Sequence, residues 1–171
     1  MSIVYTIGYE ATDIDRFVAT LKAVGVRRLA DVRAVALSRK KGFSKKSLAA
    51  RLEAEGIEYL HFQALGDPKP GREAARAGQY DLFRAIYDAH LDSEGAQSSL
   101  RELLVVAGQA PTCLLCFERD PATCHRSIVA EEMTQQSGFE VFDLFGDHPE
   151  SYVRNARRLP RYHPREGAAA A

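Results

Sequence analysis

Two short runs constrain the architecture of this chain more than anything else in it. They are Ile3-Val-Tyr-Thr-Ile7 near the start and Thr112-Cys-Leu-Leu-Cys-Phe117 about two thirds of the way along. Neither contains a charged residue, and neither alternates apolar with polar positions. A strand with one wet face must alternate, so these two are covered on both faces, like the central strands of a parallel sheet. The segment after the first run repeats Ile14, Phe17, Val18, Leu21 and Val24 at helical spacing. Thr12 or Asp13 can cap its start and Gly25 closes it.

The alternation continues. Arg28 to Arg33 reads as a second strand with a polar end, and Ser44 caps a helix through Leu48 and Leu52 to Gly56. Ile57 to Phe62 is a third strand. Residues 63–78 hold glycine, proline and charge and are expected to be loop. Helices are expected over Tyr80 to Leu91, Ser98 to Ala107 and Cys124 to Ser137, the last capped by Thr123 and ended by Gly138. Phe139 to Phe145 is a fifth strand. Strands alternating with helices specify an α/β fold: a three-layer αβα sandwich on a mainly parallel five-stranded sheet. The order 3-2-1-4-5 is the economical arrangement of right-handed crossovers. The 171-residue length suits a single domain over 1–147. Residues 148–171 read as a basic extension, a short helix and then a frayed tail, with Arg154, Arg157, Arg158, Arg161 and Arg165 before a run of alanines.

Bulk charge excludes one class. There are 23 basic and 23 acidic residues, so any anion-binding surface must be local. Three cysteines, an odd number, argue against a disulfide framework. The opening Met-Ser-Ile-Val-Tyr lacks the basic and long apolar regions of a signal peptide. No apolar run approaches the roughly 20 residues that span a bilayer. The expectation is a cytoplasmic protein, monomeric or homodimeric, with no membrane partner and no cofactor.

The chemistry concentrates in Cys113-Leu-Leu-Cys116-Phe-Glu118-Arg-Asp-Pro121-Ala-Thr-Cys124-His125-Arg126. This is the end of a buried strand running into a helix. In open parallel sheets, ligands bind beyond the carboxyl ends of the strands. Gly8-Tyr9, Asp31-Val-Arg33 and Cys116-Phe-Glu118 should therefore share one rim. Cys124, His125 and Arg126 fall in a first helical turn, whose free N–H groups favour an anion and lower a thiol pKa. Cys113 and Cys116 form a CxxC, but in a strand their side chains point to opposite faces, which argues against a thioredoxin-like pair. From Arg33 to Lys46 there are six basic residues and no acidic one, with Ser38 and Arg39 among them. A loop of that kind suits a phosphate-bearing ligand.

Together these residues resemble the family called domain of unknown function 488. The resemblance rests on Thr6-Ile-Gly8-Tyr9, Asp31-Val-Arg33, Ser38-Arg39 with Phe43, Tyr59 with Leu65-Gly66, and above all Cys116-x-Glu118 with Cys124-His125-Arg126. It extends over roughly Val4 to Phe145. Ala36 replaces a usual proline and Asp67 a usual glycine. The resemblance implies an α/β fold and a shared polar site, and supplies no reaction.

Three function classes follow. The first is a cysteine-dependent enzyme acting on a phosphate-bearing or other anionic small molecule. Cys124 is its nucleophile, His125 a base or charge partner, Glu118 a general acid or base, and Arg33 and Arg126 a clamp. Cys116 is either packed or part of the site, and it could pair with Cys124 in a reversible disulfide. The second is a zinc site from Cys116, Cys124 and His125, with or without Glu118; the residue types suit zinc, the sequence spacing does not. The third is a non-catalytic nucleotide or nucleic-acid module using the basic loop and tail. Each arginine also has a bland alternative: Arg126 pairing with Glu118 or Asp31, and Asp31 pairing with Arg33.

Overall fold

The computed structural model describes residues 2–154. Five strands, β1 (Ile3–Gly8), β2 (Arg28–Asp31), β3 (Glu58–His61), β4 (Thr112–Cys116) and β5 (Glu140–Phe145), form one sheet with every pairing parallel. Helices α1 (Ile14–Ala23), α2 (Lys45–Ala54), α3 (Lys69–Arg76), α4 (Tyr80–Leu91), α5 (Glu94–Gln109), α6 (His125–Ser137) and α7 (Pro149–Arg154) complete the described chain. The fold class is the expected α/β. Arg157, Arg158, Arg161 and Arg165 of the basic extension lie outside the described residues. No described helix is long and apolar enough to cross a membrane.

Strand order corrects one expectation. It is β3-β2-β4-β1-β5, so β4 takes the centre and β1 lies beyond it, whereas 3-2-1-4-5 had them exchanged. The reason is plain from burial. Every residue of β1 and of β4 is buried, so their composition marks both as internal but cannot rank them. The exchange matters, because it places the end of β4 between the ends of its two polar neighbours. Gly8 pairs with Cys116, and Asp31 pairs with Leu115.

Side-chain alternation along the central strands divides the core in two. Tyr5, Ile7, Cys113 and Leu115 face one layer with Phe17, Leu21, Leu48 and Leu52 of α1 and α2. Val4 and Leu114 face the other, with Phe83, Tyr87, Leu100, Ile128 and Met133 of α4, α5 and α6. Right-handed crossovers need this split: β1→β2→β3 steps one way across the sheet and β3→β4→β5 steps back.

Helix starts follow local chemistry with two corrections. Asp13 caps α1 by accepting the Arg16 N–H at 2.8 Å. Gly138, at φ 69°, closes α6 in the left-handed conformation that an L side chain disfavours. The cap of α6, however, is Cys124 and not Thr123, which lies in the short 3₁₀ turn Pro121–Thr123. The second correction is α3, in the stretch expected to be loop. Its Pro70 occupies the first turn, where a missing N–H costs nothing. Gly71 is also needed there, since a Cβ would sit 2.0 Å from Asp67 Oδ1.

Candidate active site

The parallel ladder runs past β4 and carries the rim with it. Tyr9 N–H donates to Cys116 O at 3.2 Å, Glu10 N–H to Phe117 O at 2.8 Å, and Val32 N–H to Leu115 O at 3.2 Å. Gly8 permits this closeness, because a Cβ there would lie 1.8 Å from Glu118 O. A cavity of about 470 Å³ opens above these tips. Tyr9, Arg33, Cys116, Glu118, Cys124 and His125 all border it.

Three of those residues meet at one point. Cys116 Sγ is 3.5 Å from His125 Nδ1, and Cys124 Sγ is 3.9 Å from the same nitrogen. His125 Nε2 lies 2.6 Å from Val32 O, and a carbonyl can only accept, so the ring proton is on Nε2 and Nδ1 faces the thiols. The Tyr87 ring packs beside the imidazole, centroids 5.2 Å apart. The Cys116 thiol donates to Glu118 Oε2 at 3.3 Å. The Arg126 backbone N–H reaches Cys124 Sγ at 3.5 Å.

These contacts separate the two thiols electrically. Burial alone would raise the Cys124 pKa, but the Cys116 hydrogen bond, the His125 imidazole and Arg126 outweigh it and hold this thiol well below its ordinary range. Burial pushes Cys116 well above, and the neighbouring Cys124 adds to the rise. His125 is disfavoured as a cation by burial, yet the Cys124 charge and the Val32 carbonyl raise it overall. Both shifts run in the direction that favours a Cys124 thiolate beside an imidazolium, with Cys116 a neutral thiol alongside. Burial, then the Cys124 charge, lifts the Glu118 carboxyl to about 7, where it can both give and take a proton. Cys113 stays in the core on the opposite face, its thiol pushed up by burial.

The remaining sequence-derived site residues divide by position. Asp31 and Arg33 hold each other: Arg33 Nε donates to Asp31 Oδ1 at 2.9 Å and an Nη to Oδ2 at 2.8 Å. The Tyr59 hydroxyl joins the same carboxylate. Arg126 is fully buried and does not border the cavity. Its guanidinium donates to the backbone oxygens of Glu118 and Arg119 and to Thr6 Oγ1, not to a carboxylate. Ser38 braces its own loop, with Ser44 Oγ bridging its N–H and its carbonyl. Arg39 is exposed, and of the six basic residues in that loop only Arg33 reaches the cavity.

The opposite wall was not anticipated. It comes from Asp67, Arg72 and Arg76 on and before α3, and from Tyr80 and Phe83 of α4. Arg72 and Arg76 are one helical turn apart, a signal that exists only once residues 69–76 are recognised as helix. Asp67 is 5% exposed, and its Oδ1 has no hydrogen-bond partner. Burial raises its pKa to about 6. The folded chain therefore keeps this proton between the ordinary aspartate value of about 3.9 and about 6, and loses stability as pH rises through that window. Asp67→Asn should stabilise the protein by roughly 1–2 kcal/mol at pH 8. The gain should vanish near pH 4, as urea unfolding at the two pH values would read. A gain independent of pH would refute this account of Asp67.

No curated protein and no solved structure matches the chain. The family described as "Domain of unknown function DUF488" matches residues 13–133, a span holding β2, β3, β4, the α3–α4 wall and the start of α6 with its thiol pair. The chain belongs to that family.

Proposed function

We propose that the protein is a cysteine-dependent enzyme acting on a phosphate-bearing or other anionic small molecule. One observation carries this reading: Cys124 Sγ, at the cap of α6, receives the Arg126 N–H and faces His125 Nδ1 at the edge of an open cavity. The Cys124 thiolate attacks an electrophilic centre bearing an oxygen leaving group. A sulfur bond forms, the bond to the leaving oxygen breaks, and protonated Glu118 supplies that oxygen with a proton. Glu118, now a carboxylate, then takes a proton from water. The resulting hydroxide displaces the sulfur, which departs as the thiolate, and Glu118 is again protonated.

Alkylation tests the nucleophile without a substrate. Iodoacetamide at pH 7 should label Cys124 first, and Cys124→Ser should abolish the fast phase while leaving Cys113 and Cys116 slow. The rate should stay nearly flat from pH 7 to 9, where an ordinary thiol would rise roughly 25-fold. Equal, slow labelling of all three thiols, read by peptide mass mapping, would dispose of the reading.

A second reading has its own observation. Ligand atoms of Cys116, Cys124 and His125 all lie within 4.8 Å of one another. Neighbouring ligands on a tetrahedral zinc lie roughly 3.5–3.8 Å apart. The Val32 carbonyl bond would orient the imidazole, as second partners of zinc-bound histidines do. Stoichiometric zinc in the purified protein would favour this reading over the nucleophile. The nucleic-acid alternative has less support, since Arg33 is held by Asp31 and Lys40 Nζ by the Tyr9 carbonyl.

A further inference from the structure

We infer that the ligand of this cavity is a small phosphate ester with a flat apolar body, and that its anionic end docks on α3, not on the start of α6. This rests on the reading of the cavity as a substrate site. The start of α6 is poorly free to receive an anion. Its Arg126 N–H is directed to Cys124 Sγ, and its Ser127 N–H to Cys124 O at 3.2 Å. The Arg126 guanidinium is spent on carbonyls, and Arg33 is neutralised by Asp31.

Arg72 and Arg76 are differently placed. They lie on one face of α3, four residues apart, and both border the cavity. Arg72 uses one Nη on the Asp67 backbone oxygen at 2.7 Å, which fixes the guanidinium while leaving its other donors available. Arg76 is exposed, and its side chain has no hydrogen bond or ion pair among the described residues. Two forks one turn apart suit the several oxygens of a phosphate better than a single pair does. Of the acids at the cavity, Asp67 partly offsets Arg72, whose charge favours the Asp67 carboxylate. Arg76 has no such partner: Glu10 Oε1 accepts the Arg119 N–H and Glu118 accepts from the Cys116 thiol.

The apolar body is argued from a separate observation. Three large apolar side chains at the cavity are left open to water: Val35 at 53%, Tyr80 at 48% and Phe117 at 45%. Phe83 also borders the cavity and is buried at 4%. A flat group held here would cover that surface and be favoured by its removal from water. A cavity of about 470 Å³ accommodates an organic monoester with room to spare.

Calorimetric titration of the full chain with phenyl phosphate and with inorganic phosphate tests the assignment at fixed ionic strength. Phenyl phosphate should bind about 10-fold more tightly than inorganic phosphate. Arg76→Ala should weaken both by about 10-fold. Tyr80→Ala should erase most of the phenyl advantage and leave inorganic phosphate unchanged. Arg39→Ala, at an exposed residue outside the cavity, should bind both ligands like the parent. Undiminished binding by Arg76→Ala, absence of phenyl phosphate binding, or an equal loss of it in Arg39→Ala would each overturn the inference. Alkylation separates the two proposals: a reactive Cys124 with no arginine-dependent binding sinks the dock alone, and arginine-dependent binding beside an inert Cys124 sinks the nucleophile alone.

Discussion

Asp31→Ala is expected to cost the fold about 3–5 kcal/mol, enough to bring a marginally stable domain close to unfolding. The carboxylate is wholly buried at the end of β2 and serves three partners at once. It takes two donors from the Arg33 side chain, the Arg33 backbone N–H at 3.1 Å and the Tyr59 hydroxyl. Removing it leaves a guanidinium 5% exposed and without its counter-charge. That guanidinium would keep the Phe43 carbonyl at 2.8 Å, a long contact to the Tyr9 hydroxyl and the face of the Tyr9 ring, none of which carries a full negative charge. A buried ion pair is worth little against an apolar replacement, but half of one is expensive. The paired change Asp31→Leu with Arg33→Met should therefore recover most of the loss. Urea unfolding of the single and double variants reads both numbers. A single-variant loss below 1 kcal/mol would show that the pair is not holding the rim.

Arg126→Leu should cost about 3–5 kcal/mol as well, for a different reason. Among the described residues no carboxylate touches this guanidinium. It ties together the backbone oxygens of Glu118 and Arg119 and, through Thr6 Oγ1, the Asp143 carboxylate that the Thr6 hydroxyl engages. Leucine fills part of the volume but leaves two carbonyls without donors. The turn after β4 would lose its hold over Gly8, and Glu118 would leave Cys116. The variant should unfold at lower urea, and its Cys124 should also lose fast alkylation in the folded baseline. Arg126→Lys should restore part of the stability, because one ammonium can reach one or two of the three acceptors. Unchanged stability together with unchanged alkylation would remove Arg126 from the positioning role given to it here.

Much of this organisation was legible in the residues, and the failures have definite causes. The uniform burial of β1 and β4 follows from Ile3–Ile7 and Thr112–Phe117, and it places Tyr9, Arg33 and Glu118 at a common rim. The order of those two strands was not legible, since either could occupy the middle with the same composition. The odd spacing of Cys113 and Cys116 correctly sends them to opposite faces. Arg126 reads as an anion clamp because a guanidinium sits beside a thiol at a helix start. Only the fold reveals that Gly8 brings the Glu118 carbonyl close enough to occupy it. The α3 wall was hidden by Pro68, Pro70 and Gly71, which read as loop punctuation although the second proline sits where a helix tolerates it. Asp67 was visible as an oddity of composition, but its unpartnered oxygen was not.

The two walls of the cavity differ in how they are anchored. The thiol pair, Glu118 and Arg33 hang from strand ends or from a helix packed on the sheet, so shifting any one disturbs the central framework. Helix α3 packs chiefly on α4. Residues there can change without unsettling the thiol pair. Relatives could thus exchange the arginines, or reshape that hairpin, while keeping the Cys116, Cys124 and His125 geometry intact.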